Sequence, residues 1–299
     1  QATYNFGIEY GVITTLNLFE LKDNGESKKL ISIPCSHPPI IHDFMVTPNF
    51  IVFFIPPLTV KTATLLMGIG SVLDNVVWKE ELGTEILIVP IDNPKKYTRF
   101  TTESFFQWHF ANAFELNENE IVVDYVRYKK FFMVGKIDIS QAKWEGDNGA
   151  RGYYYRSIIN LEKKTMESEM KWNQKCELPK LITGYEGIQH KKLFVGSFST
   201  KTLMDEGAVD RLVRLNVEKG PEDEFSLGVN TTFTEPHYVP SRNAKRKEEG
   251  YVLSLTYDAE ADKSSLVILD AQNMSFGFIA RLWFDHHIPP VFHGTWVNA

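Results

Sequence analysis

The sequence predicts an all-β protein built from a repeated unit of four antiparallel strands. Three observations carry that reading. Helical periodicity is nearly absent, short alternating or aromatic-rich runs are split by turn residues about every 8–12 positions, and the hairpins recur in one order. Radial repetition of such units is a β-propeller.

Taken in order, residues 4–10 form the first strand-like run. Residues 16–20 end at Lys22-Asp23-Asn24-Gly25, whose Asn-Gly pair suits a tight hairpin, and the chain returns through 30–33. Runs at 41–46 and 49–54 follow, then 85–91, a turn at Asp92-Asn93-Pro94, and 97–101. The next unit reads 108–114, 120–128, 153–161 and 166–172; the next, 181–189, 193–198 and 211–217, with a turn at Lys219-Gly220-Pro221. Runs at 235–239, 251–257, 266–269 and 279–284 form another unit, and 291–297 is the last. This spacing exceeds the roughly 40–50 residues of familiar propeller repeats, so long loops are expected at 57–84 and 129–150.

The first strand of each unit lies nearest a propeller's axis, and three such runs carry a histidine in an apolar setting: Ile41-His42-Asp43-Phe44, Trp108-His109-Phe110 and Phe292-His293-Gly294. Neutral imidazole is the commonest side-chain metal ligand, and burial without a partner is costly. A metal site with three visible ligands, His42, His109 and His293, is therefore expected. Residues 4–10 read as a second strand and 291–297 as a first strand with nothing after it. The missing strands, and a fourth histidine, are expected upstream of Gln1.

Composition narrows the function class. The 299 residues are 43% hydrophobic and 13% aromatic, enough for a large core, and the net charge of −6 argues against a nucleic-acid partner. Lys245-Arg246-Lys247 reads as a solvated loop, with anionic headgroups as the lesser reading. Two cysteines, Cys35 and Cys176, make no disulfide framework or thiolate zinc site and predict a reducing compartment. The apolar run 44–60 is broken by Pro48, Pro56 and Pro57, so it does not read as a membrane-spanning helix. No signal peptide is read in the first residues, and secretion is not expected. The sequons at Asn230 and Asn273 read as chance matches.

The other histidines read as structural. His37 precedes two prolines in a loop, His190 reads as a surface strand end, His237 follows Glu235-Pro236, and His286 and His287 are polar loop residues. Asp43 reads as structural, and Gly68-Ile69-Gly70 as a fragment with no nucleotide role. Phe44, Trp108, Phe110 and Phe292 flank the three ligand candidates, as core packing or as the lining of an apolar tunnel.

Five segments together resemble the carotenoid cleavage oxygenase family, which includes apocarotenoid and lignostilbene dioxygenases. They are His37-Pro38-Pro39-Ile40-Ile41-His42-Asp43-Phe44, Trp108-His109-Phe110-Ala111-Asn112-Ala113-Phe114-Glu115, Glu177-Leu178-Pro179, Thr234-Glu235-Pro236 and Ile288-Pro289-Pro290-Val291-Phe292-His293-Gly294. The resemblance spans residues 1–299 and implies one seven-bladed propeller domain, here lacking its N-terminal part. It implies ferrous iron held by four histidines, of which His42, His109 and His293 match three, with Glu177 and Glu235 as supporting carboxylates. The implied reaction uses dioxygen to split a double bond of a carotenoid or apocarotenoid into two carbonyl products. A stilbene-cleaving dioxygenase and a non-catalytic propeller binding an apolar ligand or protein are the alternatives. A monomer is expected, in cytoplasm or plastid. Peripheral membrane contact is expected through residues 58–73.

Overall fold

The computed structural model describes residues 2–71, 73–131, 152–198, 209–228, 230–289, 291 and 293–297. The chain divides into two compact units, Gln1–Phe106 with Lys129–Gly135 and Gln107–Tyr128 with Lys136–Ala299.

The first unit opens with β1 (Thr3–Glu9), β2 (Thr15–Leu21) and β3 (Ser27–Pro34), a three-stranded antiparallel meander. Then come β4 (Met45–Val46), β5 (Phe50–Ile55), β6 (Leu58–Val60), a short helix α1 (Thr62–Leu66), β7 (Val76–Trp78), β8 (Thr84–Pro90) and β9 (Thr98–Thr102). β4, β5, β8 and β9 form one four-stranded sheet in that order, and β6 pairs with β7. Strand β5 reads Phe-Ile-Val-Phe-Phe-Ile because it is buried on both faces. Leu16, Leu18, Ile33, Phe53, Leu87 and Val89 share a core with Phe44, whose ring stacks on Phe53 at 5.3 Å. The expected membrane segment is divided: Leu58, Thr59 and Val60 are buried in β6, while Leu66, Met67 and Ile69 are exposed around α1.

The second unit contains β10 (Phe110–Asn117), β11 (Glu120–Arg127), β12 (Gly152–Asn160) and β13 (Thr165–Leu181). It continues with β14 (Lys192–Ser197), β15 (Arg211–Asn216) and β16 (Gly220–Ser226). These seven strands pair in sequence order. They are two four-stranded units sharing the 17-residue β13: its first half closes one, and its second half is the innermost strand of the next. Finally β17 (Thr231–Phe233) and β18 (His237–Pro240) both pair with β19 (Gly250–Asp258), which is followed by β20 (Lys263–Asp270) and β21 (Phe278–Trp283). Phe194, Leu212, Phe225, Phe233, Val252, Val267 and Met274 build the core beneath.

The four-strand order expected from sequence holds, and three boundaries move. Residues 181–189 are not a strand: after Leu181 the chain turns through Gly184 and Gly187, both at positive φ, a conformation open to glycine. The innermost strand of that unit is the second half of β13 instead. Residues 41–44, after Pro38 and Pro39, are irregular, so only Met45–Val46 is strand. The described residues of 291–297 are irregular too.

Candidate metal centre

Within the second unit, three short irregularities aim the site residues. Phe110 faces Tyr125 and Asn112 faces Asp124, two steps on β10 for one on β11, just after His109. Glu177 faces Gly196 and Lys180 faces Phe194, three steps for two. Phe233 faces Thr256 and His237 faces Leu253, four steps for three, around Glu235. Each is a β-bulge of one extra residue, which bends a strand and re-aims a side chain. The sequence dictates two of them: Pro179 and Pro236 have no N–H to give to a ladder. Leu178 sits at φ +56, a left-handed conformation that non-glycine residues rarely adopt.

These bulges converge on two histidines. His109, one residue before β10, turns Nδ1 to Glu177 Oε2 at 2.6 Å, and His293 turns Nδ1 to Glu235 Oε1 at 3.4 Å. Their Nε2 atoms approach to 3.2 Å. A carboxylate can only accept, so each ring donates its Nδ1–H and each Nε2 is left with a lone pair. Two lone pairs facing one another repel unless a cation lies between them. Two imidazoles bound at right angles to one ion, with metal–nitrogen bonds of about 2.1 Å, would hold their nitrogens about 3 Å apart. The donor set fits a metal.

Glu177 is the more firmly set carboxylate. Tyr128 donates its phenol to Oε1 at 2.6 Å, and the Leu178 N–H donates to Oε2. Burial pushes its pKa up, but His109, Tyr128 and Leu178 together hold it below the usual carboxylate range. Glu235 takes weaker contacts: His237 Nε2 at 3.2 Å, the Gly294 N–H at 3.3 Å and Lys180 Nζ at 3.5 Å. Burial pushes the His237 imidazole pKa down, against the pull of Glu235. The His109 side chain is 16% exposed and that of His293 47%.

The sequence profile of the RPE65 family, described as retinal pigment epithelial membrane protein, matches residues 1–298. The chain belongs to this RPE65/carotenoid cleavage oxygenase family. It is 28% identical over 294 residues to the apocarotenoid-15,15'-oxygenase of Synechocystis, covering 98% of this chain and 59% of that protein. A carotenoid cleavage oxygenase of Mycobacterium tuberculosis is 22% identical over 330 residues, covering 97% of this chain and 62% of the relative. The chain therefore spans about three-fifths of the length of these relatives. Among solved structures, cobalt-substituted Synechocystis apocarotenoid oxygenase superposes with a TM-score of 0.87 at 26% identity, covering 100% of this chain and 61% of that one. The fold class is the β-propeller of that family, and the four-stranded sheets are its blades.

His42 is exposed, three residues before β4 in the first unit, where Asp43 accepts the Phe44 N–H at 2.8 Å. Phe44 and Phe110 are packed, the latter against Tyr125. Trp108 is half-buried and Phe292 lies outside the described residues. His37 meets Pro56 O at 3.2 Å, and His286 and His287 are exposed.

His190 corrects the sequence reading: it is buried, 3.4 Å from Asp124 and 3.0 Å from the Asn112 amide. The loop carrying it folds inward because Asn112 also binds Tyr185 O, Ile188 O and the Gly187 N–H. Tyr128 was not legible as a site residue, because its partner lies 49 residues away on a strand two places across the sheet.

Proposed function

We propose that His42, His109 and His293 hold ferrous iron and that the protein is a dioxygenase. It would split one carbon–carbon double bond of a carotenoid or apocarotenoid and leave two carbonyl products, each carrying one oxygen atom of the dioxygen consumed. The observation that carries this reading is the 3.2 Å approach of two Nε2 atoms whose opposite nitrogens are both committed to carboxylates. His42 enters through its position in the family segment Ile41-His42-Asp43-Phe44.

When bound, iron(II) supplies the activation of dioxygen. The chain's own residues do the rest. Glu177 and Glu235 keep a proton on each Nδ1, so that each Nε2 stays a ligand, and their negative charge offsets that of the cation. Beside His293 and Glu235 lies a cavity of about 320 Å³, walled by Leu253, Leu255, Leu266, Val291 and Trp296. These apolar walls suit a hydrocarbon chain. Exposed Leu66, Met67 and Ile69 offer peripheral contact with a membrane that holds such substrates.

The test loads the full-length protein with ferrous iron and supplies an apocarotenal, or a hydroxylated stilbene, under isotopically labelled dioxygen. Two labelled carbonyl products from the apocarotenal are expected. His109→Ala is expected to lose both iron and turnover. Cleavage of the stilbene alone would reassign the substrate, and iron retention by His109→Ala equal to the unaltered protein would end the metal assignment.

A further inference from the structure

The group behind Glu177 is as specifically built as Glu177 itself. Tyr128 lies at the end of β11, buried to 5% exposure, and its hydroxyl reaches Glu177 Oε1 at 2.6 Å. To do so its ring must cross the intervening strand β12, whose first residue is Gly152. A Cβ placed on Gly152 would come within 2.8 Å of Tyr128 Cε2 and 3.0 Å of Cζ, and closer still to Val126 Cγ1. Those distances are tighter than ordinary carbon contacts, and the obstructing atoms belong to two packed side chains, Val126 nearest and then the Tyr128 ring, rather than to a flexible chain end. Gly152 has no positive φ to explain it, so its missing side chain makes room for Val126 and for the Tyr128 ring. On its other side Gly152 pairs with Cys176, the residue before Glu177.

We infer that Tyr128 is a positioning residue of the metal centre: seated in the slot left by Gly152, its phenol fixes Glu177, which in turn fixes the His109 ring. This rests on the metal assignment above. Glu177 receives three donors, His109 Nδ1–H, the Leu178 N–H and the Tyr128 hydroxyl. The first two share Oε2, and only Tyr128 of these holds Oε1. Without the phenol the carboxylate can rotate about its terminal bond, and the 2.6 Å contact that sets the imidazole plane loses its fixed partner. Groups that orient metal ligands typically matter about 10- to 100-fold in metal affinity. One step further out, the lower end of that range applies.

The experiment measures Co(II) binding to the full-length protein by competition with a chelating dye, together with the visible absorption of bound Co(II). Tyr128→Phe keeps the ring and its packing, so its fold is expected to survive, as judged by an unchanged circular dichroism spectrum. We expect about tenfold weaker Co(II) retention and a shifted visible band. Gly152→Ala is expected to move both readouts the same way by displacing the ring. The double variant is expected to be no worse than the weaker-binding single one, because both act on one contact. A folded Tyr128→Phe that binds Co(II) within twofold of the unaltered protein, with the same spectrum, would overturn the inference and leave the metal assignment standing. An unaltered protein that takes up no Co(II) would overturn both.

Discussion

Asp124→Asn tests how much of the second unit's stability rests on one buried charge pair. The Asp124 side chain has no exposure, and both its oxygens are taken by Arg156, Nε to Oδ1 and Nη2 to Oδ2, each at 2.8 Å. The Arg156 side chain is 13% exposed and cannot shed its charge; its outer nitrogen reaches Glu218 at 2.8 Å, a partner 58% exposed. Asparagine would keep one acceptor oxygen and set an NH₂ group against a guanidinium N–H and His190 Nε2. Removing one partner of a buried pair costs about 3–5 kcal/mol. Because Glu218 still meets the guanidinium from the solvent side, we take the lower end, about 3 kcal/mol. At roughly 2–4 °C per kcal/mol for a unit of this size, the melting temperature should fall by about 6–12 °C. Differential scanning calorimetry reads this directly. Replacing both partners, Asp124→Leu with Arg156→Met, should cost less than Asp124→Asn alone. A melting temperature within about 2 °C of the unaltered protein for Asp124→Asn would refute the idea that the pair is held in a low-dielectric interior.

Burial holds the His190 imidazole pKa below its ordinary 6.5, with Arg156 acting the same way and Asp124 opposing. The unfolded chain therefore takes up a proton that the folded chain refuses. Stability should decline as pH drops below about 6.5, and urea midpoints at pH 7.5 and 5.5 should differ less in His190→Gln than in the unaltered protein; equal differences would sink this. Lys164 is exposed at φ +54 in the β12–β13 turn, where glycine avoids a steric cost of about 1 kcal/mol. Lys164→Gly should raise the melting temperature of the unit by about 2–4 °C, and a decrease would contradict it.

The four-strand order was legible because alternation and turn chemistry are local. Asn24-Gly25 and Asn93-Pro94 fall where the chain turns, and Gly220-Pro221 opens β16 directly after a turn. The histidines were expected on innermost strands; instead His42 and His109 stand just before β4 and β10, and His293 lies in irregular chain. The innermost strands were harder to bound, because there bulges and prolines, not periodicity, set the geometry: Glu177 proved to lie on a strand, and residues 181–189 proved to be a loop. His190 was misread because its neighbours Lys191 and Lys192 are polar, while the groups that bury it, Asn112 and Asp124, are over 60 residues away. Tyr128 gave no signal for the same reason. Contacts across a sheet depend on register, and register here includes a one-residue slip beside each carboxylate.

Strand β13 passes from one blade to the next without a loop between them. Most connections in this architecture can lengthen or shorten without disturbing what they join, but here the slack is a bulge of two residues between Trp172 and Lys175, opposite Tyr153 and Tyr154. Between Lys175 and Glu177 pairing is in register, and one residue gained or lost there would swap the side chains beyond it to the opposite face and point the carboxylate away from His109. That short stretch is therefore a fixed ruler in the sequence, and diversity among homologous chains should collect in the hairpin tips, leaving its length alone.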